Sequence, residues 1–170
     1  DVFTEFFPLF SVNFKAGKYS QLIFGNLQST LNHNVSDYLL NEEFYLTQNC
    51  ESGLQFIHKG KFLKSDTWID WRQFIFHGSP YPEILLFGSS NTIRLWEKNQ
   101  SLLNLQLSAL ASHVGGQIDC SNTNVQTIIN SQSGFDYYLA TQSEKLSKIR
   151  LFAHYYTSYD QSPTKSLKYL

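Results

Sequence analysis

Methionine is absent from this chain of 170 residues, cysteine occurs twice, proline four times, and only 16% of the residues carry charge. Two cysteines exclude a disulfide-dense scaffold. Cys50 and Cys120 lie too far apart in sequence to form a Cys-x-x-Cys redox or zinc motif. Four prolines and nine glycines exclude a collagen-like or Pro-rich chain. A net charge of -1 excludes the basic footprint of a general nucleic-acid binder, so no nucleic-acid partner is expected. No apolar run approaches the ~18 residues of a membrane-crossing helix. The longest, Ile84-Leu85-Leu86-Phe87, has only the length of a strand. On this reading the chain does not insert into a membrane.

Local catalytic signatures are missing too. No two of His33, His58, His77, His113 and His154 lie within four residues of each other, which removes local His-pair zinc motifs. There is no Gly-rich phosphate loop, no EF-hand loop and no Gly-x-Ser-x-Gly elbow. The sequence therefore implies no metal, no cofactor and no assigned catalytic residue. The runner-up enzyme is a glycosidase, with Asp66 and Asp70 around Trp68 and Trp71, and Glu83 downstream, as its carboxylates.

What the chain does hold is aromatics, 16% of all residues, enough to exclude disorder. Short aromatic and β-branched runs end repeatedly at Gly, Asn and Ser. Tyr19–Phe24, Phe44–Leu46, Leu54–Ile57, Phe74–Phe76, Ile84–Phe87, Thr92–Trp96, Gln117–Cys120 and Val125–Ile129 all follow this pattern. It predicts a mainly β fold, built as a β-helix-like solenoid or a β-sandwich, in one domain over residues 1–170. Residues 101–113 and 143–156 fit a helix and a strand equally, which leaves room for one covering helix.

Several features favour a secreted or cell-surface protein. Cys50 and Cys120 read as one disulfide, and Asn34-Val35-Ser36 and Asn99-Gln100-Ser101 as N-glycosylation acceptors. Trp68-Ile69-Asp70-Trp71 matches a C-mannosylation pattern. Asp1 is either a mature terminus or an arbitrary boundary. The densest cluster of recognition-type residues is Lys59, Lys61, Lys64, Trp68, Trp71 and Arg72, within one hairpin's length. Aromatic faces stack on sugars and lysines donate to acidic or hydroxyl partners, so these six are the expected ligand-binding surface. The expected partner is a glycan or protein, and oligomeric state stays open.

The segment from Phe44 to Phe62, with Gly53-Leu54-Gln55-Phe56-Ile57 leading to Lys59-Gly60-Lys61-Phe62, resembles a rung of the hyphally-regulated cell-wall adhesins of fungi. Gly115–Cys120 resembles another rung, and Gly134–Tyr137 with Tyr159-Asp160 is similar to that family's closing segment. The resemblance implies a secreted right-handed β-helix that attaches cells to surfaces without catalysis. Few glycines and no clear period depart from it. A secreted β-sandwich decoy that binds cytokines or chemokines is the competing class.

Overall fold

The computed structural model describes residues 9–28, 33–39, 50–116, 118–143 and 145–163. Eight strands follow one another: β1 (Ser11–Lys15), β2 (Ser20–Asn26), β3 (Ser52–Lys59), β4 (Leu63–Gln73), β5 (Ile84–Lys98), β6 (Ser101–Val114), β7 (Gln126–Ala140) and β8 (Lys148–Asp160). Each pairs antiparallel with the next in a single sheet ordered β1 to β8, and β1 and β8 do not pair with each other among the described residues. The β expectation is met. Its two candidate architectures give way to a plain meander, because each strand pairs with the next in sequence and, among the described residues, none is left to stack as a rung or a second sheet.

Residues 101–113 lie within β6, so Leu103, Leu105 and Leu107 obey a period of two and their coincident helical spacing has no role. Residues 148–156 are likewise strand. The strand expected at Phe44–Leu46 lies outside the described residues. Asn99 adopts a left-handed φ of 53° in the two-residue turn between β5 and β6, which accounts for an Asn at that position. Cys50 and Cys120 are both free, exposed thiols and not a disulfide. They flank β3 and β6, three steps apart along the sheet.

The alternation along the strands is inverted relative to a water-soluble sheet. One face presents Val12, Phe14, Phe24, Leu54, Phe56, Ile69, Trp71, Phe87, Leu107, Phe135 and Leu151, all exposed. Cross-strand pairs such as Phe24↔Leu54, Ile69↔Phe87 and Leu105↔Phe135 make this outer face continuous. The opposite, inner face carries Gln55, Asp70, Ser90, Asn104, Ser108, Gln132, Asp136 and Asp160, all buried. Polar side chains that do point outward satisfy one another across strands, as in Ser65–Asn91 at 2.7 Å, Thr67–Ser89 at 2.9 Å and Ser131–Thr157 at 2.7 Å. Such pairing is what an outer environment poor in water demands.

The sheet curls around residues 33–39, part of the β2–β3 connection. Val35 and Leu39 pack with Trp68, Leu86 and Leu110 in a small apolar core on the inner face. Trp68 lies flat over Gly88, where any Cβ would overlap the indole. His33 stacks on the indole, with centroids 3.9 Å apart and planes 10° from parallel. Its two ring nitrogens reach Glu51 at 2.7 Å and Asp66 at 2.9 Å, and Gln55 donates to Asp66 at 2.8 Å. Burial alone would lower the pKa of His33, but the hydrogen bonds and charges of Asp66 and Glu51 outweigh it and raise it to about 9.

Two outcomes are expected. Gly88→Ala should cost about 1–3 kcal/mol through overpacking against Trp68, measured by denaturant unfolding in detergent. The raised pKa means folding favours protonated His33. Its contribution, on the order of 3 kcal/mol, is complete below pH ~6.5 and should be lost as pH rises through about 9. Unfolding midpoints at a series of pH values check this, and His33→Leu should flatten the profile.

Candidate functional site at the lysine-rich end

In a meander, alternate connections lie at the same end. The β1–β2, β3–β4, β5–β6 and β7–β8 turns therefore share one rim, and they are short. Ten of the thirteen Lys and Arg residues fall on or near it: Lys15, Lys18, Lys59, Lys61, Lys64, Arg94, Lys98, Lys145, Lys148 and Arg150. The opposite end carries Glu51, Asp70, Glu83, Asp119 and Asp160.

At the basic rim, Ser20 opens β2 and His58 stands near the end of β3, directly opposite in register. The Ser20 hydroxyl bonds His58 Nδ1 at 2.8 Å. His58 is out of phase with the buried Gln55 and Ile57, so the pair sits on the apolar outer face. A cleft of about 410 Å³ at this rim is lined by Lys15, Gly17, Lys18, Tyr19, Ser20, Gln21, Ile57 and Lys59, of which Lys15, Gln21, Ile57 and Lys59 share the inner face, opposite the Ser20–His58 pair. Gly60 leaves the space that the imidazole needs, because a Cβ there would press on Nε2. Lys18 and Lys61 lie over the Tyr19 and Phe62 rings, at 5.1 and 5.6 Å. A hydroxyl bonded to an imidazole is the arrangement of an activated nucleophile. Another such pair, His113–Thr127 at 2.9 Å, stands at the acidic end, away from the lysines.

The six residues expected to bind ligand separate. Lys59, Lys61 and Lys64 converge on the basic rim with Lys15 and Lys18. Trp68 points inward and is 1% exposed, while Trp71 points outward and is 44% exposed, among Phe74 and Phe76 at the other end. Arg72 bonds Asp70 at 3.1 Å. Of the alternative carboxylates, Asp66 is engaged by His33 and Gln55, and Asp70 by Arg72 and the Ser52 amide. These ties explain both residues as structural. Sequence reasoning missed Ser20 and His58, which are 38 positions apart and form no motif.

The inner face carries a second polar group. Asp136 receives Arg150 at 2.7 and 3.0 Å, and His154 Nε2 lies 3.6 Å from it. Gln132 meets His154 Nδ1 at 3.1 Å, and Tyr156 bonds Ser36 at 3.2 Å.

A family model described as lipid A 3'-O-deacylase-type matches residues 1–170. No curated protein and no solved structure gives a match. The family finding overturns the likeness to fungal adhesins; of the rung-like segments, Ser52–Lys59 is β3 of the meander, and the described residues of Gly115–Cys120 belong to the β6–β7 connection. It also overturns the non-catalytic adhesion module, the cell-wall and glycoprotein reading of Asn34 and Asn99, and the glycan or protein partner on a surface. The expectation of no membrane insertion loses its basis too. No helix among the described residues is long enough to cross a membrane, but that says nothing of strands. Placement at the cell surface is compatible with a family associated with the bacterial outer membrane. The match spans the whole sequence, and the chain belongs to the lipid A 3'-O-deacylase-type family.

Proposed function

We propose that this chain is an outer-membrane esterase that releases an acyl chain from a lipid A-type glycolipid, with Ser20 as nucleophile and His58 as general base. The observation that carries this reading is the 2.8 Å Ser20–His58 bond on the apolar face, at the end of the sheet where the lysines gather. A lipid ester approaches from the hydrocarbon side, and a phosphorylated sugar head group sits at the membrane edge. Apolar side chains against the acyl chain and lysines against the phosphates match those two ends. Strands β4 to β8 hold 11 to 15 residues. About 9–11 tilted residues suffice to cross a bilayer. An outward apolar band over a polar interior is the pattern of outer-membrane sheets.

In the proposed reaction, Ser20 Oγ attacks the ester carbonyl as its proton passes to His58 Nδ1. His58 then gives that proton to the departing sugar oxygen. Water, deprotonated by His58, cleaves the acyl-serine and frees the fatty acid. The pair works as a dyad, since no carboxylate lies within 4 Å of His58 among the described residues.

Ser20→Ala and His58→Ala should each lower acyl release by about 10³-fold or more, followed by mass spectrometry of lipid A in mixed micelles. A fluorophosphonate probe should label the wild-type chain and not Ser20→Ala. Full deacylation by Ser20→Ala would remove this assignment. Lys18→Gln and Lys61→Gln should raise KM about fivefold each, at ~1 kcal/mol per lysine near an anionic surface, with kcat nearly unchanged. That effect should shrink as salt is added.

A further inference from the structure

The inner face of the sheet borders a chamber of about 1110 Å³ whose inner polar groups the proposed esterase reaction does not use. Its floor holds Gln132, 7% exposed, and His154. Gln132 Oε1 and His154 Nε2 are both buried and have no hydrogen-bond partner among the described residues. His154 Nε2 has only the Asp136 carboxylate, 3.6 Å away, and Gln132 Oε1 has nothing among the described residues. A buried polar atom left unpaired costs about 1–3 kcal/mol, so Gln132 points to a ligand that completes it.

The rim supplies a second, independent sign. Lys59 and Lys64 stand directly opposite each other on β3 and β4, and both line the chamber. Like charges facing across a strand pair repel. No carboxylate among the described residues lies within 4 Å of either, or of Lys148 across the chamber. An anion between these lysines would relieve the repulsion. Phe152 and Tyr156 line the same space, and aromatic rings are common partners of sugars.

We infer that this chamber binds a soluble phosphorylated sugar, with the phosphoryl group held by Lys59 and Lys64 and ring hydroxyls completing Gln132 and His154. Ser20 is not among the residues lining the chamber, although His58 reaches its edge, and the inference goes beyond the esterase reading.

The test is calorimetric titration of the full chain in detergent with glucosamine 6-phosphate as probe, against glucosamine and inorganic phosphate alone. The sugar phosphate should bind saturably, at least tenfold tighter than either half. Gln132→Leu and His154→Leu should weaken it tenfold or more. Lys64→Gln, on the rim where folding is not at stake, should weaken it and reduce its salt dependence. Ser20→Ala should titrate like the wild type, so a failed esterase reading and a failed chamber reading are distinguishable. No saturable binding, or Lys64→Gln and His154→Leu titrating like wild type with strand content retained, would overturn the inference. Adding lipid A to the micelles separates the two sources of the shared head-group chemistry. Unchanged binding supports a soluble ligand, and competition would reassign the chamber to the lipid and refute it.

Discussion

A sheet that turns apolar side chains outward and polar ones inward is stable only if hydrocarbon lies outside and the inner polar groups satisfy one another. Everything else in this fold follows from that constraint. Outward hydroxyls pair across strands instead of waiting for water, as Thr67 does with Ser89. Inward charges are tied off, as Asp136 is by Arg150 and Asp66 by His33. Each such tie avoids the penalty of a buried unpaired charge.

The small inner core shows how the constraint is met. Trp68 needs the bare backbone of Gly88 beneath it and the ring of His33 above it. His33 in turn needs both Glu51 and Asp66, and so holds the β2–β3 connection against the concave face. The same meander gathers the short turns at one end, where the lysines collect. A bipolar particle results, with an apolar waist and a cationic rim. The proposed chemistry uses the junction of the two, where Ser20 and His58 meet.

Much of the secondary structure is legible in the sequence, because short β-branched and aromatic runs between Gly, Asn and Ser have few other uses. The Leu54–Ile57, Ile84–Phe87 and Val125–Ile129 runs all fall on or overlap strands. The inversion leaves no long apolar run in the sequence. A search for long apolar runs detects helices, whereas Leu103, Leu105 and Leu107 carry their message only at alternate positions. Lys59, Lys61 and Lys64 were visible as a cluster, but their companions Lys15 and Lys18 belong to another hairpin. Trp68 looked like a binding residue because a Trp beside lysines has the same spelling inside or outside a sheet. Ser20 and His58 meet only through strand pairing, so register decides their contact and no local pattern signals it.

The central claim is that the outer face meets hydrocarbon, and its tryptophans test it most directly. Trp71 points outward and Trp68 inward on the same strand. Single-tryptophan variants reconstituted in vesicles with brominated phospholipids should show strong quenching of Trp71 and little of Trp68. Equal fluorescence of Trp71 with and without bromine, under conditions where the strands are folded, would contradict the account.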